Sequence, residues 1–208
     1  MLKSALARLR EAHMQEVEGE GVAEAGFTLI ELMVVLLIIA ILLAIAIPTF
    51  LGVTASARDR AVQSNLANAN TEVQGQYQNG ESYTFAAPGA GQPTLNTSAP
   101  EFQWVDAGAQ SIDQNHMSIG IFDVNSAGDN QGMVIASLSN TGTCWYVMKL
   151  QANPAVGVPP AGVTVSRAGT YYANQTSNAG KPCQADNATG TAGWNWGTSY
   201  SDTAGSNG

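Results

Sequence analysis

Residues 26–48 read Gly26-Phe27-Thr28-Leu29-Ile30-Glu31-Leu32-Met33-Val34-Val35-Leu36-Leu37-Ile38-Ile39-Ala40-Ile41-Leu42-Leu43-Ala44-Ile45-Ala46-Ile47-Pro48. From Leu32 to Ile47 the run contains no charge and no strong polar group. A helix of about 20 apolar residues spans a bilayer. Leu, Ile, Phe and Val each favour insertion by roughly 0.3–0.6 kcal/mol. About fifteen of them lie between Phe27 and Ile47, so together they favour insertion by roughly 4–9 kcal/mol. Glu31 opposes this, but one carboxylate near a helix end does not outweigh the whole run. The segment is therefore expected to insert. What it does not explain is the carboxylate, since an ionisable group at membrane depth calls for a partner.

Two ordinary readings of such a run account for less. A secretory signal peptide has a shorter apolar core and a small-residue cleavage site after it. Pro48-Thr49-Phe50 is not such a site, and amphipathic sequence follows without a break. A plain single-span anchor accounts for the length but not for Glu31.

Gly26-Phe27-Thr28-Leu29-Ile30-Glu31 resembles the processing site of type IV prepilins, and the run ending in Ala46-Ile47-Pro48 resembles the first half of their long helix. The resemblance covers about residues 26–50, more weakly to about Gly80, and points to a type IVa-like major or minor pilin. It implies that a prepilin peptidase cuts between Gly26 and Phe27 and methylates the new amino terminus of Phe27. It further implies an inner-membrane single-pass precursor, then an extracellular pilus. The subunits would self-assemble into a helical filament through their N-terminal helices, with the help of an assembly platform and minor pilins. Phe27, Glu31 and Pro48 are the assembly residues it implies. Physics agrees on Glu31: a buried cation and a buried carboxylate are each costly alone and much less so when paired. Side chains four apart share a helix face, so Glu31 lies about one turn from a freed Phe27 amine. Pairing with the Phe27 amine of a neighbour would fix the axial register, as buried polar groups do in coiled coils.

Residues 1–26 read as a cleaved leader. Lys3, Arg8 and Arg10 lie at its start, and Glu11, Glu16, Glu18, Glu20 and Glu24 make its end acidic. The basic start fits a cytoplasmic N-terminus. Residues 27–48 read as the transmembrane and assembly helix, and 49–79 as its amphipathic continuation. There Leu51, Ala55, Val62, Leu66, Ala69, Val73 and Tyr77 recur on one face among polar residues. Pro48 removes one helix hydrogen bond and is expected to bend the helix. Asn79-Gly80 is a stop signal. At 1.5 Å per residue, a helix from Phe27 to Gln78 runs roughly 75–80 Å, more than twice a bilayer core. Half of it must therefore stand outside and pack on a domain.

Residues 80–208 read as that domain. Phe85–Pro100 is rich in small and turn-forming residues and reads as a loop. Short β-branched or aromatic runs predict strands at Gln103–Val105, Met117–Val124, Gly132–Leu138, Cys144–Leu150, Val163–Ser166 and Thr170–Ala173. Ser126-Ala127-Gly128-Asp129-Asn130 reads as a hairpin loop. The expected fold class is α+β: a long N-terminal helix packed on an antiparallel sheet of about four strands. Trp194 and Trp196 are expected either to tack the C-terminal segment onto the sheet or to face a partner.

Cys144 and Cys183 are the two cysteines, and an even pair in an external domain suggests a disulfide. In the resembling family such a bond bounds a surface loop, here Trp145 to Pro182, with Tyr171, Tyr172, Asn174 and Gln175 as candidate contact residues. Asp123 and Asn125 partly match a calcium loop, but Ala127 and Val134 stand where ligands are required, and a turn explains the stretch better. Asn96, Asn174 and Asn187 head glycosylation-type triplets. His116, the one histidine after Gly26, has no nucleophile or metal-ligand pattern around it. No cofactor and no enzymatic activity are expected.

Net charge is −8, pI about 4.5, and only 12% of residues are charged. Five basic residues follow Gly26 and form no run. Direct nucleic-acid binding, which needs clustered Lys and Arg, is therefore not expected. The function expected is a structural subunit of a type IV pilus supporting adhesion, motility or DNA uptake. Two other readings fit the same residues: a pseudopilin of a type II secretion-like machine, and a single-span membrane-anchored domain that never polymerises.

Overall fold

The computed structural model describes residues 26–84, 94–178, 180–190 and 194–201. Residues 1–25 of the expected leader lie outside them, as do residues 85–93 of the expected loop. The elements run α1 (Leu29–Gly80), α2 (Thr94–Ser98), β1 (Gln103–Asp106), β2 (His116–Phe122), β3 (Gly132–Leu138), β4 (Thr143–Leu150), β5 (Gly169–Thr176) and α3 (Ala185–Gly190). The chain divides after Thr49 into two units, Met1–Thr49 and Phe50–Gly208.

In the first unit α1 is apolar on every side. Leu29, Leu37, Leu42 and Ile45 are each more than 60% exposed, and no described residue covers them. Pro48 falls within α1, and the Thr49 hydroxyl donates to the carbonyls of Ala46 (2.9 Å) and Ile45 (3.3 Å) beside it. A hydroxyl that bonds back in this way favours a bend, at the place where Pro48 also leaves the Ala44 carbonyl without its N–H.

In the second unit the rest of α1 lies on a five-stranded sheet of order β1-β2-β3-β4-β5. Val62, Leu66, Ala69 and Val73 are fully buried, at helical steps of four, three and four. They pack with Met117, Ile119, Met133, Ile135 and Val147. The opposite face of the sheet carries Val134, Ala136, Tyr146, Met148 and Ala173, covered by Ala185 and Ala188 of α3 and by Trp194. Both faces are thus dry. That explains why β3, Gly-Met-Val-Ile-Ala-Ser-Leu, shows no polar alternation and is buried at all but its last residue. Gly132 leaves room for the Phe122 ring, which a Cβ there would meet at 2.3 Å.

Several sequence expectations are corrected. The sheet has five strands, and β1 pairs parallel with β2 while the other pairs are antiparallel. The 107–115 connection turns the chain back on itself: the Ser111 hydroxyl donates to the His116 carbonyl (2.7 Å) and its N–H to the Cys183 carbonyl (2.8 Å). Val163–Ser166 is not a strand. The Val163 N–H closes a turn on Pro160, and the Thr164 hydroxyl donates to the Trp194 carbonyl. Within the expected loop, Thr94–Ser98 is a short helix whose Leu95 is buried. Leu51 is 61% exposed rather than packed. The expected stop at Asn79-Gly80 holds: α1 ends at Gly80, and Glu81 takes the left-handed conformation after it (φ 54°). Its N–H donates to the Tyr77 carbonyl at 2.7 Å.

The burial boundary on α1 is testable. Leu66→Ala should lower the stability of the folded subunit by about 2–5 kcal/mol. Leu51→Ala, 15 residues earlier in the same apolar period but exposed, should change it by no more than about 0.5 kcal/mol. Thermal unfolding of the full chain in micelles, followed by near-ultraviolet circular dichroism, measures both.

Candidate functional site

The head of α1 is closed by a reciprocal cap. Thr28 precedes the first helical residue, Leu29, and Glu31 is the third residue of the helix. The Glu31 N–H donates to Thr28 Oγ1 at 3.3 Å. In return the Thr28 N–H (2.9 Å) and hydroxyl (2.7 Å) both donate to Glu31 Oε2. A Thr-x-x-Glu pair joined both ways is a capping box, which satisfies two backbone donors that a helix start otherwise leaves without partners. Among the described residues, Oε1 of the same carboxylate has no hydrogen-bond partner. The carboxylate is therefore held in place by one oxygen and open at the other. Phe27, just before the cap, is 85% exposed.

Reading the sequence for the charge alone missed Thr28. Its signal was the spacing: Ser or Thr, two residues, then Glu, ahead of an apolar run. Gly26, Phe27 and Glu31 thus lie together at the start of α1, and Pro48 lies one residue before the end of the first unit. α1 is the one described helix long and apolar enough to cross a membrane, with a mean hydropathy of 3.2 over its most apolar window.

The second unit places the other candidates. Cys144 and Cys183 form a disulfide with Cα atoms 5.3 Å apart, joining β4 to the segment before α3. It closes a separation of 39 residues, which in the loop-closure view stabilises by roughly 4 kcal/mol. Of the contact candidates inside that loop, Gln175 is buried and donates to the Tyr146 hydroxyl at 2.5 Å, so it is not a surface group. The Tyr171 hydroxyl donates to the Arg167 carbonyl (3.0 Å), and the Tyr172 backbone exchanges two 2.9 Å hydrogen bonds with Gly197. Trp194 and Trp196 tack the C-terminal segment down. Their indole N–H groups donate to the carbonyls of Asn187 and Gly162, both at 3.0 Å, and Trp194 packs edge-on against Tyr146.

The Asp123–Asn130 turn points its carboxylates inward. Asp129 accepts the N–H groups of Val124, Asn125, Ser126 and Gln131, and Asp123 accepts those of Gly128 and Asn130. Oxygens committed to backbone donors are not arranged around a cation, and no group of three or more His, Cys, Asp and Glu among the described residues is placed to hold a metal. Burial works against ionisation of Asp129, but the four backbone donors outweigh it and hold the carboxyl below its usual value.

Residues 22–47 match the family model described as the prokaryotic N-terminal methylation motif. No curated protein and no solved structure matches the chain.

The turn yields a prediction with a definite sign. A carboxyl whose value is lowered by folding stabilises above its unfolded value, near 4, and ceases to do so as pH falls through the folded value. Asp129→Asn should therefore be less stable than the parent chain at neutral pH, and the gap should close as pH falls below about 4. Thermal unfolding across pH measures it; a gap independent of pH would contradict the assignment.

Proposed function

We propose that this type IV pilin-family prepilin is a structural subunit of a pilus filament, cut between Gly26 and Phe27 and polymerised through α1. The observation that carries the reading is the capped, uncovered head of α1 directly after the Gly26-Phe27 junction of a methylation motif. Cleavage turns the Phe27 nitrogen into a cation one helical turn from Glu31. Thr28 keeps the Glu31 carboxylate at the helix start through Oε2, which leaves Oε1 for an ammonium group. Before assembly the bilayer covers Leu29 to Ile47. On assembly the helices of neighbouring subunits replace it, and the Phe27 amine of one subunit meets Glu31 of another. A charge pair in an apolar surrounding is tolerated in one register only, because sliding by a turn leaves both charges unpaired. The β domain then forms the fibre surface, where adhesion, motility or uptake of DNA through a partner would be exerted.

This assigns the prepilin peptidase as processing partner, the chain itself as assembly partner, and the assembly platform and minor pilins as helpers. It places the chain in the cytoplasmic membrane first and on the cell surface later.

Glu31→Ala separates insertion from polymerisation. The variant should enter the membrane in parental amounts, since it removes a charge from an apolar helix. The amount of chain in sheared surface filaments should fall by roughly tenfold or more, because the Phe27 cation is left buried without its partner. Normal filaments from Glu31→Ala would overturn the role of Glu31.

A further inference from the structure

Away from the assembly helix head, the unit Phe50–Gly208 carries a groove of about 440 Å³ bordered by Asp59, Arg60 and Gln63 of α1, Trp145 of β4 and Tyr200. That size falls in the range of about 300–1,000 Å³ typical of small-molecule sites. One wall is aromatic. Trp145 and Tyr200 meet edge to face with centroids 5.4 Å apart, and Tyr200 leans on Tyr172 at 4.3 Å. The opposite wall is polar and only partly occupied. Asp59 Oδ1 accepts the Thr141 hydroxyl at 2.6 Å and the Trp145 indole N–H at 3.4 Å. These bonds fix both the carboxylate and the plane of the indole. Among the described residues Asp59 Oδ2 accepts no hydrogen bond, and Arg60 and Gln63 make no hydrogen bond or ion pair. None of the three helix residues belongs to the core below them.

We propose that this groove binds a neutral saccharide ring. A pyranose has an apolar C–H face and a rim of hydroxyls that both donate and accept. The face of an aromatic ring carries the negative part of its quadrupole and attracts the weakly positive C–H face. The rim then meets an acceptor in Asp59 Oδ2, donors in Arg60, and a group that does both in Gln63. Adjacent charges of opposite sign make the polar wall neutral overall, so it selects neither an anion nor a cation. An apolar occupant would cover Asp59 Oδ2 and the Arg60 guanidinium without offering either a hydrogen bond, which is unfavourable. The groove would give each subunit one glycan contact.

Saturation-transfer NMR on the chain beginning at Phe27, held in micelles of a detergent without a sugar head group, tests it. The probes are the methyl glycosides of glucose, galactose, mannose and N-acetylglucosamine, with methyl glucuronide as the anionic control. At least one neutral glycoside should receive saturation, concentrated on protons of one ring face. Arg60→Ala and Gln63→Ala, both outside the core, should each weaken that binding by roughly three- to tenfold, the size of one hydrogen bond. Trp145→Phe keeps an aromatic wall and removes only the longer of the two hydrogen bonds to Asp59 Oδ1, so it should still bind a neutral glycoside through one ring face. No saturation of any neutral glycoside, binding by the glucuronide alone, or binding unchanged in both Arg60→Ala and Gln63→Ala would overturn the proposal.

Discussion

An apolar helix that no described part of its own chain covers is the constraint on which the rest depends. From Leu29 to Ile47 every large side chain of α1 faces outward. Burying one such side chain is worth about 1.5–3 kcal/mol relative to leaving it in water, so the segment requires a bilayer or other helices around it. The head of that segment is where polar chemistry becomes unavoidable, because a helix start leaves backbone donors open. Thr28 and Glu31 close those donors reciprocally, and they do so with a carboxylate that still has one oxygen available. A helix built only to anchor the chain needs the cap but not the charge: a Gln at the same position closes the box as well. A carboxylate at this place is what the proposed pairing with a Phe27 amine would use.

The second unit solves a different problem. A sheet of short strands buries little on its own, and this one is covered on both faces. Val62 to Val73 of α1 supply one cover; α3, Trp194 and the disulfide supply the other. Polar side chains of α1 tie the helix to the layer beneath it: Asn65 donates to Gln114 and Asn115, and Asp59 accepts from Thr141 and Trp145. Gln151 donates to the Tyr83 hydroxyl at 2.6 Å, while burial pushes that hydroxyl's ionisation upward. The surface between these ties is weakly charged, as the composition of the chain requires.

The parts legible in the sequence were those governed by local pattern. Fifteen or so apolar residues in one run, the 3.6-residue period of Val62 to Val73, and the β-branched strands β2, β3 and β4 all carry their own signal. Non-local decisions were not legible. Leu51 continues the apolar period of α1, but a period marks a face without saying what covers it. Val163–Ser166 has strand-like residues, yet its turn and its bond to Trp194 take it out of the ladder. The parallel β1–β2 pairing needs the 107–115 connection to bring the chain back, and that connection bonds through Ser111 to Cys183, 72 positions away in sequence. Gln175 looked like a surface amide because alternation on β5 does not reveal that Tyr146 lies beneath it. The Thr28–Glu31 cap is legible in the sequence, since Thr-x-x-Glu ahead of an apolar run is a helix-start pattern.

The central claim is that this helix head becomes an assembly site once Phe27 is freed. Mass spectrometry of filaments sheared from cells that express the chain tests it most directly. The account predicts this chain as a component of the filaments, with its N-terminal peptide beginning at Phe27 and carrying one methyl group on the amine. A chain found only in membranes, with residues 1–26 still attached, would contradict it.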